Sequence, residues 1–352
     1  MRTMKAMVYR GVGKIVLEEV PRPGILEPTD AIVRVTSSAI CGSDLHIYRG
    51  DYSVDPGTII GHEFLGVVDE VGGHIIGFKP GERVLVHPGF RCGICEGCLK
   101  EIPMGCAKGG IFGNPTPYGS LHGGQAEYVR VPFAQQTLHR IPDGLNDEDV
   151  ILVTDMLPTG YFAAENGDIK PGDTVAVFGC GPVGLCAQLC AQLFGPSKVF
   201  GVDLLEYRLN VAERLGSIPV DASSVDAVNR IRELTDGLGV NVAIEAIATP
   251  ATFYGCLQAA RLTSNISIVG IFSESVELPM SVMCVTNKRI SMGLPLKLPE
   301  YIPMLLELVK AGRIDTRPII SHMLPLSEGE RAYEVFDKKL DGALKIVLTP
   351  DT

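Results

Sequence analysis

The chain has 352 residues, 46% of them apolar and 20% charged, which is enough for two domains around substantial cores and unlike a disordered protein. Its net charge of −10 argues against nucleic acid or an anionic membrane as a partner, because both reward basic surfaces. No stretch is long and apolar enough to span a bilayer, and the start, an alternating strand pattern over residues 6–9, lacks a secretory apolar core. Ten cysteines in such a chain suggest a reducing cytoplasm, where thiols bind metal or lie buried.

The first 150 or so residues read as short strands, such as 31–35 and 66–71, separated by turns rich in Gly, Pro and Asp. Cys41 lies in Ile40-Cys41-Gly42-Ser43-Asp44-Leu45-His46, and His62 in Gly61-His62-Glu63-Phe64. Taken singly, neither is informative, since a lone histidine is more often a satisfied core or surface residue than a ligand.

The next feature is specific. Cys92-x2-Cys95-x2-Cys98-x7-Cys106 places four thiols within fifteen residues, interleaved with Gly93, Gly97 and Gly105. Four thiolates converging on one point make a closed, structural zinc site with no position left for substrate. A ferredoxin-type iron–sulfur run would need its fourth cysteine three residues on and followed by proline, whereas here the gap is seven and Ala107 follows. Four unrelated buried thiols would be a poor use of a Gly-rich loop. A lobe this short, residues 90–108, should draw much of its folding free energy from the metal.

From about 173 to 295 the pattern changes. Apolar strands at 174–178, 198–202, 240–244 and 266–271 alternate with helical stretches, predicting an α/β, doubly wound parallel sheet covered on both faces. Gly179-Cys180-Gly181-Pro182-Val183-Gly184 follows the first strand and opens a helix. In that context the glycines permit a tight turn and let a pyrophosphate approach the helix N-terminus. Asp203, nineteen residues beyond Gly184 at the end of the next strand, is placed to accept the adenosine ribose hydroxyls and to disfavour a 2′-phosphate. The alternative for Asp203 alone is a solvated turn residue, and Arg208 nearby could tolerate a phosphate. Cys186 and Cys190, spaced i, i+4 on the apolar helix, read as core thiols. The tail holds a helix at 299–311, a second announced by a capping box of Ser327 and Glu330, and a strand at 344–348 that should pack back onto the first domain.

Five motifs in this order, namely Cys41 to His46, Gly61-His62-Glu63, the four-cysteine lobe, Asp155 to Gly160, and the dinucleotide turn, resemble the zinc-dependent medium-chain alcohol dehydrogenase family over essentially the whole chain. The resemblance implies a GroES-like, β-rich catalytic domain of residues 1–156 and 298–352, and a Rossmann domain of residues 157–297. It implies two zinc ions per chain, NAD(H) as cofactor, and an alcohol as substrate. Cys41, His62 and Asp155 become ligands of a catalytic zinc with one exchangeable position, and Glu63 a carboxylate that can join them. Asp155 stands where many members have cysteine; one thiolate and one carboxylate keep the same formal ligand charge. Asp44 is expected to accept a hydrogen bond from His62, and Ser43 and His46 to relay the alcohol proton to solvent. Thr159 and Val183 would pack behind the nicotinamide, Val269, Gly270 and Ile271 would hold its carboxamide, and Lys345 would reach the pyrophosphate.

The short stretch from Cys106 to Ala126 resembles the microbial, homotetrameric members. The substrate pocket is expected to include Pro88, Phe112, Leu294 and His122, with core packing as the alternative for Phe112 and Leu294. Polyol or formaldehyde-type dehydrogenases are the nearest rival reading. A zinc-free quinone-reductase relative or a non-catalytic nucleotide binder is a more distant one, since neither needs Cys41, His62 and Asp155.

Overall fold

The computed structural model describes residues 2–351, apart from 101, 103, 104, 115–119 and 295–297. The chain forms two compact units, Met1–Asp155 with Leu296–Thr352, and Met156–Pro295. No helix among the described residues is long and apolar enough to cross a membrane.

The first unit is built on a largely antiparallel sheet, in the order Leu138–Arg140, Arg83–Val86, Glu63–Val71, Ala31–Ala39, Lys345–Thr349 and Ile320–Pro325, with Tyr128–Val131 also paired to Ala31–Ala39. Val33, Val35, Phe64, Val68, Val84 and Val86 fill one core cluster, as alternating β-branched and aromatic strand residues should. Phe112 belongs to this core: it is fully buried, edge-on to Phe64 at 5.2 Å between ring centroids and 5.5 Å from Phe90. The C-terminal strand pairs Val347 with Ala39, so the tail returns to the first unit.

The tail departs from expectation at one point. The Ser327–Glu330 capping box does not form. A 3-10 turn, Leu326–Glu328, delays the helix to Gly329–Asp337. Ser327 Oγ then donates to Asp351, and Glu330 accepts from the Leu17 amide. The segment after the last strand and the strand Lys14–Pro21 supply these side chains with partners in place of the helix end.

The second unit carries a six-stranded parallel sheet in the order Ile218–Asp221, Lys198–Asp203, Thr174–Phe178, Val240–Glu245, Ala260–Ile268 and Arg289–Met292. The order reverses between Thr174–Phe178 and Val240–Glu245, and ligands of such sheets bind at the carboxyl ends of the strands beside this switch point. The strands are nearly continuous apolar runs because helices cover both faces, and Phe178, Phe200, Val202, Ile244 and Ile266 are buried. Cys186, Cys190 and Cys256 are buried in this unit, and burial holds the Cys190 and Cys256 thiols well above their ordinary pKa. These are core thiols.

Candidate active site and the structural zinc lobe

Three short pieces of the first unit converge. Cys41 is the extended residue before the helix Gly42–Arg49, with φ −99° and ψ 159°. His62 and Glu63 sit at the start of the strand Glu63–Val71, and Asp155 follows the 3-10 turn Ile151–Thr154. One ligand atom from each of Cys41, His62, Glu63 and Asp155 lies within 4.8 Å of all the others. His62 Nε2 is 3.5 Å from Asp155 Oδ2 and 3.5 Å from Ser43 Oγ. Its Nδ1 is 3.5 Å from Asp44 Oδ1, and Asp44 Oδ2 accepts the Cys41 amide at 2.9 Å. Asp44 therefore fixes both the His62 ring and the Cys41 backbone.

This cluster fits a zinc ion. Thiolate, imidazole and carboxylate form an open catalytic donor set. The buried Glu63 Oε2 has no hydrogen-bond partner, an expensive arrangement unless a cation takes it up. Burial alone would lower the His62 pKa, yet Cys41, Asp155 and Asp44 raise it well above its usual value, so the local field favours positive charge. Burial pushes the Cys41 thiol up and His62 pulls it back; a cation bound here would displace that proton to solvent and hold the thiolate.

Lys345, expected at the cofactor pyrophosphate, is found elsewhere. Its ammonium is fully buried, 2.6 Å from Glu63 Oε1 and 3.1 Å from the Ile40 carbonyl. Burial opposes the charge, but Glu63 and Cys41 outweigh it and hold the Lys345 pKa above normal. A strand-borne lysine inside a sheet had no sequence signal for this partner, 282 residues away.

His46, one turn along the helix from Ser43, is partly exposed; its Nδ1 is 2.8 Å from Asp51 Oδ2 and its ring lies against Tyr52. His122 Nδ1 accepts the Ile59 amide at 3.1 Å, a structural bond that ties down its ring. Leu294 is 43% exposed and Pro88 is buried.

In the cysteine lobe the sulfurs of Cys95 and Cys98 are 3.5 Å apart, those of Cys92 and Cys106 are 3.6 Å, and those of Cys92 and Cys98 are 3.9 Å. A tetrahedral zinc tetrathiolate with bonds of about 2.3 Å has sulfur–sulfur edges of about 3.8 Å, so the four thiols are spaced for that ion and far too distant for disulfides. Gly97 is required here, because a Cβ at this position would lie 2.0 Å from the Gly105 carbonyl oxygen.

The second unit carries the residues expected at the nucleotide. Gly181 caps the helix Pro182–Gln192, whose first-turn proline wastes no hydrogen bond. A Cβ on Gly184 would meet the Gly179 carbonyl oxygen at 1.8 Å, whereas a Cβ on Gly181 would meet only Arg208, leaving the turn open to a phosphate. Asp203 Oδ2 accepts the Cys180 amide at 2.8 Å, and its Oδ1 accepts those of Leu204 and Leu205. Arg208 Nη1 stands 3.8 Å from Asp203. Val183 and Thr159 are half-buried at helix starts, and Val269, Gly270 and Ile271 follow the strand Ala260–Ile268. Glu245, not singled out from sequence, is fully buried, and its Oε1 accepts the Ile247 and Ala248 amides and the Thr252 hydroxyl.

Family models agree with both units. Residues 27–143 match the alcohol dehydrogenase GroES-like domain and residues 182–311 match the zinc-binding dehydrogenase domain. The chain belongs to the zinc-binding alcohol dehydrogenase family. An alcohol dehydrogenase of Cupriavidus necator is 35% identical over 99% of this chain and 99% of its own. The solved alcohol dehydrogenase TADH from Thermus sp. ATN1 is 38% identical, covers 99% of this chain and 100% of its own, and superposes with a TM-score of 0.93. A zinc-binding dehydrogenase from Sinorhizobium meliloti, solved bound to NADP, is 28% identical over 99% of this chain and 100% of its own, with a TM-score of 0.88. The zinc alcohol dehydrogenase therefore combines a GroES-like unit with a Rossmann unit, and the zinc-free quinone-reductase and non-catalytic readings fall away.

Proposed function

We propose that this dehydrogenase oxidises a primary or secondary alcohol with NAD, reversibly, using Cys41, His62 and Asp155 to hold the catalytic zinc. The observation that supports this most is the buried convergence of those three ligand atoms with Glu63 inside 4.8 Å. The bound groups supply Lewis-acid activation of the alcohol oxygen and a hydride acceptor. The chain's residues do the rest. Ser43 Oγ, beside His62 Nε2, is placed to take the alcohol proton, and His46, farther along the same helix with its ring held by Asp51, hands it to solvent. Asp44 holds His62 in the tautomer that leaves Nε2 free for the metal. A panel of primary, secondary and polyhydric alcohols with NAD, read by NADH absorbance, tests the assignment. Turnover of none of them by zinc-replete enzyme would overturn it, and turnover confined to polyols would move it to the polyol branch.

Asp203 supports NAD over NADP. A 2′-phosphate would face its carboxylate and lose the ribose hydrogen bonds, so NAD should be favoured by roughly two orders of magnitude in kcat/KM, about 2.7 kcal/mol. Asp203→Ser should narrow or reverse that preference, because Arg208 then faces the phosphate unopposed, and adding Arg208→Ala should undo the gain. Equal kcat/KM for both cofactors in the wild-type enzyme would remove Asp203 from this role.

Self-association to a homotetramer is proposed with it. The edge strand Arg289–Met292 and the helix Met280–Thr286 leave Val285 82% and Met292 67% exposed, beside Met280 and Val282. Apolar side chains beside an unpaired strand edge suit a second copy of the chain. Val285→Asp with Met292→Asp should lower the sedimentation coefficient, and a monomeric wild type would contradict the proposal. A reducing compartment, the cytoplasm, is proposed as well, because Cys92, Cys95, Cys98 and Cys106 are spaced for a zinc ion rather than for disulfides.

A further inference from the structure

We infer that Gln125 and Tyr333 position two ligands of the catalytic zinc by acting through Asp44, an inference that rests on Cys41 and His62 being ligands. Asp44 is fully buried and reaches both of them, one through the Cys41 amide and the other through His62 Nδ1. Its remaining donor is the Gln125 side-chain amide, 3.3 Å from Oδ2. Gln125 is itself fully buried, and the same amide nitrogen lies 3.4 Å from the Ala39 carbonyl. Its oxygen accepts the Tyr333 hydroxyl at 2.8 Å.

The order of these groups matters. A glutamine amide has a donor end and an acceptor end, and a carboxylate can use only the donor. The Tyr333 hydroxyl, donating to Oε1, keeps the oxygen turned away from Asp44 and the nitrogen turned toward it. Without that hydroxyl the amide either buries an unsatisfied oxygen or rotates and sets oxygen against carboxylate. Either outcome loosens Asp44, and with it the backbone of one ligand and the ring of another.

Tyr333 is a rigid place from which to do this. It is 1% exposed, packed in a cluster with Met7, Ile40, Leu45 and Ile346, and its ring stacks on Tyr48 at 5.7 Å. Tyr48 lies on Gly42–Arg49, the helix that also carries Ser43, Asp44 and His46. The tail of the chain, 208 residues beyond Gln125, thus sets the geometry of the metal site from outside its ligands.

The test uses purified enzyme loaded with zinc, following release of each zinc to a chromophoric chelator in wild type, Tyr333→Phe and Gln125→Leu. Gln125→Leu should speed release of the more labile zinc by roughly tenfold, the low end of the cost of losing a ligand's direct outer partner because Gln125 acts one step further out through Asp44, and Tyr333→Phe by a smaller factor in the same direction. Release from the cysteine lobe should not change, and the visible spectrum of cobalt placed at the labile site should shift in both variants. Wild-type release rates and spectra in Tyr333→Phe, which keeps the ring and its packing, would overturn the inference. So would equal acceleration at both zinc sites, the mark of general loosening. A wild type that holds only the lobe zinc would instead overturn the ligand assignment, and this inference with it. If Gln125→Leu fails to fold, Tyr333→Phe carries the test.

Discussion

Replacing His62 by alanine is expected to lower kcat/KM for alcohol oxidation by at least about a thousandfold while leaving NAD affinity near that of the wild type. His62 is the hub of the cluster. Its Nε2 faces Asp155 and Ser43, and its Nδ1 faces Asp44. Removing it would take away the one uncharged member of the proposed ligand set and leave the Cys41 thiol and the Asp155 carboxylate as a poor donor set for zinc. Lewis-acid activation supplies several kcal/mol of transition-state stabilisation, and each 1.36 kcal/mol or so is tenfold in rate. The residues proposed to bind the nucleotide, Gly179 to Gly184 and Asp203, lie in the other unit, so NAD affinity is expected to persist. Steady-state kinetics beside a titration of NADH fluorescence separates the two quantities. An equal loss of both would show that the metal site has been misplaced.

Replacing Cys95 by serine is expected to remove one zinc per chain and to lower the melting temperature by roughly 10 °C, the scale on which a structural metal contributes to folding. The lobe has little else to hold it. Ile94 is 81% exposed, Leu99 73% and Ile102 50%, so its apolar side chains face solvent rather than a core. What converges is sulfur, with Cys95 and Cys98 3.5 Å apart on either side of Gly97. Serine is a poor zinc ligand and cannot close the tetrahedron. Calorimetry with elemental analysis on the same sample reads both effects. A variant with wild-type melting and both zincs would contradict the assignment of this lobe.

Much of this was legible because its causes are local. The parallel sheet follows from apolar runs such as Thr174–Phe178, which is buried from its second residue onward and needs no partner to be recognised. The cysteine spacing and the glycine turn are likewise written in consecutive residues. What could not be read depends on distant partners. Lys345 finds Glu63 and Tyr333 finds Gln125 only after the sheet has assembled, and neither pair leaves a pattern in sequence. Ser327 had a sound local helix cap available and lost it to Asp351 on a neighbouring segment. Phe112, a candidate for the substrate pocket, was claimed by Phe64 and Phe90 instead. Short-range chemistry is visible in the sequence; competition between long-range partners is not.

The most direct test of the two-zinc account is stepwise chelation of the purified enzyme, with zinc content, circular dichroism and alcohol turnover followed together. The open set of Cys41, His62 and Asp155 should lose its ion first, and the closed set of four thiolates last. Turnover should therefore fall in proportion to loss of the first zinc with secondary structure intact, and return when zinc is restored. Full turnover after the first zinc has gone, or iron in place of either zinc, would contradict the account.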